Sequence, residues 1–144
     1  GIVGSGLGAV VALAAAQRAP ECVSELVLEG ASVKFGRLAL GAQKALVRAM
    51  PEAKWAATGL NRASVLAVMD GLAGLDLAAG LDRVTARTLV LLGSHDRAQR
   101  PGAEAVAAGV GGARLSIVPD AADPIHLTNP EGFNAELWRF LDGE

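Results

Sequence analysis

The segment Gly4-Ser5-Gly6-Leu7-Gly8 places a glycine at every second residue between a β-branched pair, Ile2-Val3, and the apolar run Ala9 to Ala16. Glycine at that density disfavours both helix and strand, so the segment predicts a tight turn from a strand into a helix. A strand that turns directly into a helix opens a βα unit, and that constrains the chain to an α/β architecture.

The residues that follow fit that start. Ala9 to Arg18 reads as a buried helix, stopped at Ala19-Pro20 because proline lacks an N–H and pushes the preceding residue out of the helical region. Leu26-Val27-Leu28 is a short strand, apolar throughout as a parallel strand covered on both faces requires. From Ala31 to about Leu81 the pattern is helical. Leu38, Leu40, Ala42, Leu46, Val47 and Met50 are compatible with one apolar face, Pro51 closes that segment, and a second helix is predicted near Ala63 to Leu72. Gly71, Gly74 and Gly80 divide the remainder into short pieces, a composition suited to a small helical lid.

Thr88-Leu89-Val90-Leu91-Leu92 is the clearest strand, ended by Gly93 and the polar loop Ser94 to Arg100. Pro101 opens a helix that includes Ala103 to Val110, Gly111-Gly112 ends it, and Arg114 to Val118 is the last strand. Asn129 caps a final amphipathic helix carrying Phe133, Leu137, Phe140 and Leu141 at helical spacing. Strand, helix, strand, helix in this order implies parallel strands with right-handed crossovers. The predicted organisation is a core of residues 1–32 and 82–144 with a lid of residues 33–81.

Composition narrows the function. A chain of 144 residues that is 51% hydrophobic and 19% charged can bury a core as one domain. Its net charge of −2 and scattered Lys and Arg argue against nucleic acid as a partner. The apolar run at Ala9 is too short to span a bilayer, so no membrane partner is expected. The single cysteine, Cys22, lacks an internal disulfide partner and reads as small apolar filler before a strand, and a reducing cytoplasm is the expected location.

Ile2 to Ser32 resembles the strand, nucleophile elbow, helix and strand of α/β-hydrolases. The likeness resumes near Leu75: Leu89 to Asp96 is similar to the strand ending in the triad acid, and Pro119 to Leu141 to the histidine loop and last helix. The nearest pattern is the group of enol-lactonases, esterases and C–C bond hydrolases. The resemblance implies an α/β-hydrolase-type parallel sheet of about four strands, partial and flanked by helices. It also implies a small-molecule substrate, ester or lactone chemistry and no cofactor or metal.

Residue by residue, the resemblance puts Gly6 in the nucleophile slot and Asp96 in the triad acid slot. Counting back seven residues from Pro130 puts Asp123 in the histidine slot. A serine nucleophile needs an imidazole to take its proton and a carboxylate to orient that imidazole, so this set is degenerate in two of its members. Ser5 and His126 are the candidate substitutes. The Leu7 amide, after the nucleophile slot, is the surviving oxyanion donor. Asp96 and Asp123 are expected close together, read as two solvated loop carboxylates in preference to a proton-sharing pair. Arg87 stands where the family usually has proline. The family's earlier strands and second oxyanion amide would precede Gly1, so the chain is expected to be a fragment whose N-terminal half lies in the same precursor or a second chain. Its first strand would then be an uncovered edge.

Two rival readings remain. Gly4-x-Gly6-x-x-Ala9 also matches the dinucleotide fingerprint, with Glu29 about where a ribose-binding acid belongs, which would make the chain part of an FAD- or NAD-binding domain. The spacing to Glu29 is slightly long, and residues 88–141 have no natural place in such a domain. The other rival is a non-catalytic module in which the altered triad leaves a pocket for a ligand or partner.

Overall fold

Continuous apolar runs require cover on both faces, and the chain supplies it with a parallel sheet and flanking helices. The computed structural model of the chain describes residues 1–51, 55 and 59–143. Strands β1 (Ile2–Ser5), β2 (Glu25–Glu29), β3 (Arg87–Gly93) and β4 (Arg114–Val118) lie in chain order and all pair in parallel. Val3 faces Val27, Val27 faces Leu89, and Leu91 faces Ser116.

Helix α1 (Leu7–Arg18) joins β1 to β2 and buries Ala9, Val10, Ala12, Leu13 and Ala16. Two helical stretches, α2 (Arg37–Ala49) and α3 (Arg62–Leu72), separate β2 from β3. Helix α4 (Arg100–Gly109) crosses from β3 to β4, and a single-turn helix α5 (Ile125–Thr128) precedes α6 (Pro130–Leu141). Asn129 caps α6 as predicted: its Oδ1 accepts the Gly132 amide at 2.9 Å. One face of the sheet carries the cluster Val27, Leu89, Leu91, Val118, Ala121, Ile125, Phe133 and Phe140, which fastens α5 and α6 to the strands.

The chain divides into two compact units, Gly1–Val33 with Leu77–Glu144, and Lys34–Asp76. The helical unit is shorter at its C-terminal end than the predicted span of 33–81, because Leu77, Leu81 and Val84 are buried residues of the sheet-containing unit. A short 3-10 helix, Ala78–Arg83, carries Leu81 there. Residues 52–54 and 56–58 of the predicted span lie outside the described residues.

Within the helical unit, Leu40 is buried, but Leu38 and Leu46 are 93% and 71% exposed, so the expected apolar face of α2 is largely open. Lys34 pairs with Asp76 at 3.3 Å, and Lys44 bonds Asp70. The hydrogen bond and charge of Lys44 hold the Asp70 carboxyl below its ordinary value of 3.8. A depressed carboxyl pKa stabilises the fold above the unfolded value and loses that contribution as pH falls through the folded one. Lys44→Met is therefore expected to flatten the acid-side decline of this unit, read by circular dichroism during acid titration.

Two residues depart from expectation. Cys22 is exposed rather than filling the core, because it sits in the 3-10 turn Pro20–Cys22, and Val23, next in sequence, is the residue that turns inward. Arg87, in the family's proline position, is a clamp: its guanidinium lies 2.6 Å from Glu25 Oε1 and 4.5 Å from the centre of the Phe140 ring. Arg87→Met is expected to lower stability by about 1 kcal/mol, read by urea unfolding, since both partners are partly solvated.

Candidate functional site

In an open parallel sheet, ligands bind beyond the carboxyl ends of the strands, and here those ends carry the polar residues. The turn from β1 into α1 is as tight as its glycines predict. Gly6 caps the helix with φ 54° and ψ −116°, a region that side-chain-bearing residues rarely enter. Gly4 is fixed by packing: a Cβ there would stand 2.5 Å from the Gly8 carbonyl oxygen. Gly6 differs, since a Cβ at that position would meet nothing within 4 Å. The tip of the turn thus has room for a side chain and carries none.

Leu7 is the first residue of α1, so its amide and that of Gly8 have no intrahelical acceptor. The Ala9 amide is already taken by the Gly6 carbonyl at 3.1 Å. The two free amides at a helix start suit a carbonyl oxygen or small anion.

Asp96 follows β3, and its Oδ2 accepts the Gly93 amide at 3.2 Å. It therefore ties its own loop. Gly93 has to be glycine: a Cβ would lie 2.4 Å from the Ala121 carbonyl oxygen and 2.5 Å from Asp96 Oδ2. Gly93→Ala is expected to destabilise by about 2 kcal/mol, because backbone on the far side must move. Chemical denaturation read by tryptophan fluorescence measures this.

Asp123 follows β4, and its carboxylate lies over Gly30 at the end of β2. A Cβ on Gly30 would be 2.6 Å from Asp123 Oδ1 and 3.1 Å from Gln99 Oε1, and Gly30 itself has φ 66°. Both oxygens are buried and lack a hydrogen-bond partner among the described residues, as does Ser94 Oγ. A pair of acceptor oxygens without a donor is suited to a ligand hydroxyl, an N–H or a water. Asp96 bonds the Gly93 amide, and no hydrogen bond joins the two aspartates. Gly30 and Gln99 were not visible as site residues in the sequence, because only the fold brings them to Asp123.

His126 lies on α5. Its Nδ1 is 2.7 Å from Glu29 Oε2, and its backbone amide donates to Glu29 Oε1 at 3.2 Å. Glu29 ends β2 and is 1% exposed, so the acid that the dinucleotide pattern would offer to a ribose is already occupied. Ser5 is the register partner of Glu29, half-buried, and no hydrogen bond joins its Oγ to His126 or to any other described residue. Among the described residues, no group of three or more His, Cys, Asp or Glu side chains is placed to hold a metal. No described helix is long and apolar enough to cross a membrane. The helical unit has its own open cleft of about 570 Å³, lined by Trp55, Leu60, Arg62 and Leu66 among others, none of which belongs to the strand-end loops.

A glycine with room for a side chain sits at the strand-to-helix tip after β1, and the carboxylates Asp96 and Asp123 follow β3 and β4. Solved structures share the fold. A hydrolase from Pseudomonas aeruginosa PA01 superposes with a TM-score of 0.85 at 24% identity, over 99% of this chain and 64% of that one. The chain has an α/β-hydrolase fold. Two more such structures are an enol-lactonase from Burkholderia xenovorans LB400 (TM-score 0.74, 17% identity, 97% of this chain and 64% of that one) and MenH from S. aureus (0.72, 18%, 97% and 66%). The chain therefore spans about two thirds of the length of these α/β-hydrolase-fold proteins. No protein-family model and no curated protein matches the sequence.

Proposed function

We propose that the chain is part of an acyl-hydrolase-like protein that binds a small carbonyl- or carboxylate-bearing ligand at the strand ends and turns over esters or lactones slowly. The observation that carries this is Gly6: the tip of the elbow has the backbone angles and the open space of a nucleophile position but no side chain. The enol-lactonase among the structural neighbours supports ester or lactone chemistry as the substrate class. Asp123 in the histidine slot removes the second member of the usual set. The Leu7 and Gly8 amides supply the anion contact, and the unpartnered Asp123 and Gln99 oxygens supply acceptors for donor groups on the ligand.

Partners follow from the sheet. β1 pairs with β2 alone among the described strands, and Val3 and Val11 are 55% and 62% exposed. In this reading the free edge of β1 pairs with a further strand, from the same polypeptide or a second chain, in a reducing cytoplasm where Cys22 stays a thiol.

The test is hydrolysis of activated esters and lactones by the native chain, alongside ligand-observed NMR with carboxylates. Loss of triad members costs on the order of 10⁴ to 10⁶ in turnover, so slow hydrolysis with measurable binding is expected. Asp96→Asn retains an acceptor for the Gly93 amide and is expected to change that slow rate less than about threefold. Turnover at ordinary enzymatic rates, abolished by Asp96→Asn, would contradict the proposal.

A further inference from the structure

We infer that Ser5, His126 and Glu29 form a second nucleophile, base and acid set, its nucleophile one residue before the vacant elbow position and its base three residues after Asp123. The inference rests on the acyl-hydrolase reading and names the residues that carry its remaining turnover.

The acid and base are joined directly. Glu29 is 1% exposed, and a buried carboxylate keeps its charge only with donors around it. His126 supplies both: its amide to Oε1 at 3.2 Å and its Nδ1 to Oε2 at 2.7 Å. With Glu29 as a carboxylate acceptor, a neutral His126 donates from Nδ1 and keeps its lone pair on Nε2. The His126 side chain is 40% exposed, which leaves that lone pair reachable. The imidazole contact fixes the tautomer, as the acid of a hydrolytic triad does.

The hydroxyl is placed by the sheet. Ser5 and Glu29 are register partners on neighbouring parallel strands about 4.8 Å apart, so their side chains leave the same face. The Gly6 amide bonds the Glu29 carbonyl at 3.0 Å and pins the two strand ends together. Ser5 Oγ has no hydrogen-bond partner among the described residues, and the Leu7 amide lies two residues further along. In acyl transfer, Ser5 Oγ bonds the carbonyl carbon, its proton passes to His126 Nε2, and that proton then goes to the departing alkoxide. Water releases the acyl group by the same route.

A para-nitrophenyl alkylphosphonate, whose phosphorus accepts the serine oxygen as nitrophenolate leaves, tests this with the native chain. The expected result is an adduct mapped to Ser5 by peptide mass spectrometry and absent in Ser5→Ala. His126→Gly is expected to slow labelling by on the order of 10²-fold, with recovery when imidazole is added to the buffer. His126→Gln, which keeps a donor for Glu29, should show the same loss with the native circular dichroism spectrum, separating base from staple. Glu29→Gln, a change in a positioning residue, should slow labelling by about tenfold and leave it insensitive to added imidazole. Absence of a Ser5 adduct, or labelling indifferent to His126, overturns the inference. If Ser5 stays unlabelled while Gly6→Ser with Asp123→His gains activity, the elbow reading stands and this one falls. The reverse pair of results removes the elbow reading and keeps this one.

Discussion

Gly6→Ser combined with Asp123→His is expected to raise activated-ester hydrolysis over the native chain by on the order of 10² to 10³-fold. The two substitutions return the nucleophile and the base, whose loss costs on the order of 10⁴ to 10⁶. Operating with the Leu7 amide as a single oxyanion donor takes back on the order of 10² to 10³ of that gain. Space is available, since a Cβ at Gly6 meets no atom within 4 Å. The backbone angle is the cost: holding a serine at φ 54° strains the turn by about 1 to 3 kcal/mol. Stability should therefore fall as activity rises, and Gly6→Ala should show the same fall in stability with no gain in rate. Steady-state hydrolysis together with thermal unfolding of the three variants measures both halves of this expectation.

Leu91→Ala is expected to destabilise the sheet unit by about 3 kcal/mol, a drop of roughly 10 °C in Tm. Leu91 is fully buried on β3, in the cluster that also holds Ile125, Phe133 and Phe140. Removing it leaves a cavity beneath α5, the helix that carries His126. The loss is large against the net stability of a domain, about 5 to 15 kcal/mol, so differential scanning calorimetry should detect it without ambiguity. A shift under about 2 °C would mean that this face of the sheet is not the packed layer the cluster describes.

The strands, the glycine turn from β1 into α1 and the capped last helix were legible in the sequence because each depends on neighbours in the chain. Gly6 illustrates this: alternating glycines specify a turn that only a residue tolerant of positive φ can form easily, and the observed φ of 54° follows. Asn129 likewise caps through Gly132, three residues on. What escaped the sequence depends on contacts between distant segments. Glu29 and His126 are 97 residues apart, so their pairing is a product of strand order, although a charged residue ending an apolar strand was the available signal. Asp123 over Gly30 and Gln99 is of the same kind. Leu38 and Leu46 show the opposite limit, where helical spacing predicts a face but not whether anything covers it.

The most direct measurement is phosphonate labelling of the Gly6→Ser, Asp123→His variant, followed by mapping of the adduct within the tryptic peptide that ends at Arg18. Placing Gly6 at the nucleophile tip predicts rapid labelling at position 6, lost when Asp96→Asn removes the acid that orients the new imidazole. Labelling that bypasses position 6, or a rate unchanged from the native chain in a correctly folded variant, would contradict it.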